Sequence, residues 1–67
     1  MSEWDKMALK LLTALQKRHI SPQQRLKIVQ TFGKRKGSSN VHILEEALSI
    51  LETTKDNEEA VKKILAL

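Results

Sequence analysis

The stretch Ser21-Pro22-Gln23-Gln24, continued by Arg25-Leu26-Lys27-Ile28-Val29-Gln30-Thr31-Phe32-Gly33, decides how this sequence folds. Ser21 suits the N-cap of a helix, where its hydroxyl accepts an otherwise orphaned backbone N–H. Pro22 suits the first helical turn, where the N–H it lacks has no intrahelical partner to lose. Gln24 completes an S-x-x-Q capping box. Leu26, Ile28, Val29 and Phe32 then form an apolar face. Gly33 or Gly37 ends the helix, because either can take the left-handed C-terminal conformation.

A helix starting afresh at Ser21 makes the residues before it a separate element. There Trp4, Met7, Ala8, Leu11, Ala14 and Leu15 recur at three- and four-residue spacing, from Ser2 or Glu3 to Arg18. Leu12 borders that face, and Leu9 falls on the opposite side among charged residues. Downstream, Ser38, Ser39 or Asn40 can cap a third helix. Its apolar face (Val41, Ile43, Leu44, Ala47, Leu48, Ile50, Leu51) covers nearly half the circumference, so it should be the most buried. Asp56-Asn57-Glu58-Glu59 reads as a D-x-x-E cap on a fourth helix, with Ala60, Val61, Ile64 and Leu65 inward. Glu58–Lys62 and Glu59–Lys63 are i,i+4 pairs, each worth about 0.2–0.5 kcal/mol in isolated helices.

No segment alternates with period two over the length of a strand. The expected fold is all-α: one domain over residues 1–67, a compact bundle of four short amphipathic helices. A three-helix core with a peripheral first helix is the fallback.

Composition narrows the functional classes. A chain of 67 residues buries only about 60% of its unfolded surface. Ligand pockets generally need about 300–1,000 Å³ of concave space. A self-sufficient enzyme is therefore not expected, nor a small-molecule substrate or cofactor. The absence of cysteine excludes disulfides and thiolate zinc sites. No apolar run is long enough to span a membrane. The start, Met1-Ser2-Glu3-Trp4-Asp5, lacks the basic and apolar regions of a signal peptide. An intracellular setting without membrane contact is the expectation.

The net charge of +4 is unevenly distributed. Residues 1–40 hold nine basic groups against two acidic ones, a net +7; residues 41–67 hold three against six, a net −3. Such a dipolar chain can meet an acidic partner, or a copy of itself, with one end.

Gly33-Lys34-Arg35-Lys36-Gly37-Ser38-Ser39 is the most suggestive stretch for chemistry. Cations between glycines, followed by a helix N-terminus, can hold an anion. A Walker motif requires another order of glycine and lysine and a preceding strand. The plainer reading is that these cations offset the negative end of the second helix. Lys17, Arg18, Arg25 and Lys27 could extend Lys34, Arg35 and Lys36 into a phosphate-binding patch. Trp4 and Phe32 lie on apolar stripes and read as core rather than stacking platforms. Glu45, Glu46 and Glu52 on the third helix, and Glu58 and Glu59 leading the fourth, disfavour insertion into a DNA groove.

His19 and His42 are the only histidines, and neither belongs to a metal-ligand pattern, so no metal is expected. Ser38, Ser39, His42 and Glu45 can be drawn as a triad, but nothing supplies a nucleophile elbow or an oxyanion hole. Glu45–Glu46 and Glu58–Glu59 are sequence neighbours that diverge around their helices.

The run Ala47-Leu48, Asp56-Asn57-Glu58-Glu59-Ala60-Val61 and Leu65 resembles the end of a ubiquitin-associated domain. Those domains often begin their last helix with Asn-x-Glu-x-Ala. The Met-Gly-Phe-type loop of that family is missing here; Phe32-Gly33 stands in its place, before a longer loop. A good cap followed by an apolar face accounts for the same residues, and no family is assigned.

Leu9, Leu12, Ile20 and Leu67 have no clear place in a four-helix core and would mark an interface if they cluster. The leading expectation is a non-enzymatic interaction or regulatory module that binds a protein partner, or itself, through an apolar patch with a basic rim. The alternative is a nucleic-acid-binding protein, DNA or RNA, that contacts phosphates through residues 34–36 and the neighbouring cations.

Overall fold

Three of the four helices of the computed structural model begin at a side-chain cap. The structure describes residues 2–67, except the side chain of Ser38. Helix α1 spans Glu3–Lys17, α2 Pro22–Gly33, α3 Val41–Thr53 and α4 Asn57–Leu65, and a single 3-10 turn, Ser38–Asn40, leads into α3. The described residues are all-helical, without strands. The radius of gyration is 10.8 Å, against about 11 Å expected for a compact chain of this length.

The serine and aspartate caps form. Ser21 Oγ accepts from the Gln24 N–H at 3.3 Å, with Pro22 in the first turn. Asp56 accepts from the Glu58 N–H at 3.1 Å, and Ser2 Oγ accepts from the Asp5 N–H at 3.1 Å. Asn40 makes no side-chain cap; its Nδ2 donates back to the Arg35 carbonyl at 2.7 Å and folds the basic loop onto itself. The second helix runs through Gly33 and ends in a turn at Lys34 and Arg35, while Gly37 takes φ 156°, a conformation that strains any residue with a Cβ.

The end of α1 departs from expectation in an instructive way. His19 has φ 57°. Its N–H donates to the Gln16 carbonyl at 3.0 Å, and the Ile20 N–H to the Leu15 carbonyl at 3.2 Å. These are the two bonds of a Schellman motif, with histidine where glycine is usual. That motif places its final residue back against the helix it terminates. Ile20 is accordingly 3% exposed, beside a fully buried Leu15. The expectation that Ile20 is left over for an interface is therefore overturned: Ile20 belongs to the core.

The core is built from Trp4, Leu11 and Leu15 of α1, Ile28 and Phe32 of α2, and inward faces of α3 and α4. The first helix is central, packed along α3, so the arrangement with a peripheral first helix does not occur. The third contributes the most buried residues, in keeping with its wide apolar face. It packs on α4, which packs on α2. The α1 and α2 backbones, although joined by a short turn, do not approach as closely as these pairs.

Candidate functional site

The gap between α1 and α2 is lined by apolar side chains. Trp4, Leu11, Leu15 and Leu44 form its floor with Ile28 and Phe32; Ala8 and Leu12 wall it from α1, Val29 and Gly33 from α2. Its volume is about 110 Å³, below the range of small-molecule sites but enough for one anchoring side chain. Trp4, near the start of α1, and Phe32, near the end of α2, both line it, as do Leu15 and Ile28, and a four-residue turn joins the two helices, so α1 and α2 run antiparallel along it. The Lys36–Asp5 ion pair, 3.7 Å, links the loop after α2 to the first turn of α1 at the Trp4 end.

Among the described residues three large apolar side chains are exposed: Leu9 (57%), Leu26 (57%) and Val29 (43%). Val29 is in the groove wall. Leu26 lies three residues before it, and Leu9 three before Leu12, so each adjoins a groove residue on its own helix. Periodicity placed Leu26 and Val29 in the core. The structure buries the Ile28–Phe32 pair instead, and those two turn Leu26 and Val29 outward. Apolar residues spread this widely around α2 do not identify its inner side without knowledge of what it packs on. Of the four residues expected at an interface, Leu9 is exposed, Leu12 is half-buried in the groove wall, and Leu67 is half-buried against the core. Ile20 is buried.

The seven cations expected to share a phosphate-binding patch do not come together. Lys36 sits by Asp5 at the start of α1, while Lys17 and Arg18 are at its far end. Asp5 and Lys17 are twelve positions apart on one helix, about 18 Å at 1.5 Å per residue. Arg18 is committed to structure. Its Nε donates to Asn57 Oδ1 at 3.0 Å, its Nη1 to the Leu51 carbonyl, and its Nη2 to the Thr54 and Lys55 carbonyls at 2.7 and 2.8 Å. Asn57 Nδ2 donates back to the Arg18 carbonyl at 2.7 Å. One guanidinium fork thus satisfies the Leu51 carbonyl in the last turn of α3 and two carbonyls of the α3–α4 connection, and ties α1 to the start of α4. Arg35 donates from Nη1 to the Leu67 carbonyl at 2.7 Å. Lys17 shares a crease with Glu52. Lys27 and Lys34 are exposed, and Arg25 is half-buried.

A basic stripe not foreseen from sequence lies on the outer face of α1. Lys6, Lys10 and Lys17 surround Leu9 and Thr13 along a concavity of about 570 Å³. All its walls come from one helix, so it is an open face rather than an enclosed site. Their spacing of four and seven residues was the signal available in the sequence.

Other constellations stay dispersed. Ser39, His42 and Glu45 are exposed, with no hydrogen bond among them, and the Ser38 side chain lies outside the described residues. Among the described residues no group of three or more His, Cys, Asp or Glu side chains could hold a metal ion. None of the described helices is long and apolar enough to cross a membrane. The Ser2 hydroxyl donates to Asp5 Oδ2 at 2.9 Å, and this bond, with the charge of Lys36, holds the Asp5 carboxyl below its usual range.

Comparison of the chain with family models, with curated proteins and with solved structures finds no match.

Proposed function

We propose that this chain is a non-enzymatic helical interaction module that binds a protein partner through the α1–α2 groove. The observation that carries the reading is the groove itself. Its lining contains no ionisable side chain, and its α2 wall carries Val29, 43% exposed, beside Leu26, 57% exposed. Isolated exposed apolar residues are ordinary. Here they border a concave apolar surface, which is how interfaces anchor a bulky side chain. The amphipathic helix of a partner, with anchors at i, i+3 or i+4, and i+7, suits such a groove.

Trp4 is the only tryptophan and lines the groove, so its fluorescence reports occupancy. Titration with amphipathic helical peptides bearing neutral, acidic or basic flanks should show saturable binding of at least one. A Val29→Asp change should abolish it while circular dichroism stays unchanged. No binding by any peptide, or binding indifferent to Val29→Asp, overturns the reading.

A second reading is supported by the stripe Lys6, Lys10 and Lys17. With Lys34 and Lys27 exposed elsewhere on the surface, it would engage the phosphates of DNA or RNA. That reading expects binding to duplex DNA or single-stranded RNA that falls steeply between about 50 and 200 mM salt.

A further inference from the structure

We infer that the partner segment is an acidic amphipathic helix of a different protein, with an apolar side chain in the α1–α2 groove and a carboxylate on Arg25. The inference rests on the reading of the groove as a docking site.

Charge is the first argument. Not one Asp or Glu lies between Asp5 and Glu45, whereas all nine basic residues of the first forty do. Asp5 itself is paired with Lys36. Past Asp5, the two helices that wall the groove therefore carry cations and no acids, with Lys6, Lys10 and Lys17 on the outer face of α1, and this balance favours an acidic segment.

Arg25 is the second. It precedes Val29 by one turn, on the stripe that continues to Phe32. Its Nε is buried and has no hydrogen-bond partner. That atom is closed to solvent, so an incoming carboxylate meets the terminal nitrogens of this half-buried guanidinium, which favours a carboxylate in a bidentate pair.

The third argument excludes a second copy of this chain. Its acidic outer face, with Glu45, Glu46 and Glu52 on α3 and Glu58 and Glu59 on α4, has none of the exposed large apolar residues, which are confined to α1 and α2. Head-to-tail pairing would bring acids to the groove with nothing bulky to fill it. Symmetric pairing would bury the apolar residues but set one basic surface against another. Phosphate backbones match the charge but make no use of Leu9, Leu26, Val29 or the groove.

The test uses the full chain and three synthetic peptides, followed by Trp4 fluorescence. The first has Leu at i, i+4 and i+7 with Glu at the flanking positions. The second replaces every Glu with Gln. The third has the composition of the first with its Leu scattered around the helix. The Glu peptide should bind about tenfold more tightly than the Gln peptide, and more weakly at about 200 than at 50 mM salt. Arg25→Gln should remove most of the Glu-peptide advantage and leave the Gln peptide unaffected. Arg25→Lys, which keeps the charge and loses the fork, should fall between. Circular dichroism and thermal melting confirm that each variant folds. Equal affinity for the Glu and Gln peptides overturns the acidic partner and leaves the groove reading standing. Failure of all three peptides overturns both. Equally tight binding of the scattered peptide or of duplex DNA makes the surface a general polyanion site and overturns the inference. Concentration-dependent self-association that displaces the Glu peptide also overturns it.

Discussion

Helix α1 has two seams, and they differ. Along α3 it is packed closely, and at its end Arg18 reaches across to the last carbonyls of α3 and to Asn57 of α4. Along α2 it stands off, leaving apolar side chains around a groove whose Val29 wall meets solvent. The closed seam joins residues more than thirty positions apart; the open one joins neighbours linked by a four-residue turn. Proximity in sequence therefore did not set the closeness of packing. A dense polar clamp holds three elements at one end, and with those held, α2 can remain open without loss of the fold. In a domain of this size, with a small core, the open seam is what the proposed binding role rests on.

The comparison breaks first at Arg18. Arg18→Ala should destabilise the chain by about 2–3 kcal/mol, because several carbonyls and Asn57 lose a charged partner together. Urea unfolding checks this, and a change below about 0.5 kcal/mol would mean the clamp is incidental. Arg18→Lys should recover little, since an ammonium cannot span the same carbonyls.

The turn between the seams can be relieved of strain. His19 holds a positive φ that costs a non-glycine residue about 1–2 kcal/mol. His19→Gly should therefore stabilise by about 0.5–1 kcal/mol after its greater unfolded-state entropy is counted. In a domain this small that raises Tm by about 4 °C. A lower Tm would show that the His19 side chain contributes more than its backbone strain removes.

On the open seam, Val29→Thr should change stability by less than about 0.5 kcal/mol, as for other part-exposed positions, while weakening peptide binding. A large destabilisation would place Val29 in the core and close the groove as a site.

The smallest effect is one of pH. The Asp5 carboxyl is held below its usual range, chiefly by the Ser2 hydroxyl and then by Lys36. A carboxylate depressed on folding stabilises the fold above its unfolded pKa, and that contribution disappears as pH falls through the folded value. Because Asp5 is exposed, the change should be a slight fraying of the first turn of α1 in acid, seen by hydrogen exchange and absent in Asp5→Asn.

Much of the architecture was legible residue by residue. Ser21-Pro22 and Asp56 start helices through bonds made within three residues of themselves. The broad apolar face of α3 made it the helix with the most buried residues wherever its neighbours lay. The candidate site was far less legible. Leu26 and Val29 share a helix with Ile28 and Phe32, and only the placement of α4 and α1 decides which pair is covered. Arg18 reads as one more cation until Leu51, Thr54 and Asn57 are brought to it. Ile20 reads as left over because histidine conceals the turn that glycine would have announced.

The sequence by itself determined four helices, the starts of the second and fourth, an all-α class and a basic first half followed by an acidic second, because caps, helical periodicity and charge act over a few residues. The tertiary structure alone decided which cations are free, which apolar residues stay exposed and where the bundle is left open. Those properties depend on burial and on partners more than thirty residues away, and no local pattern encodes such a distance.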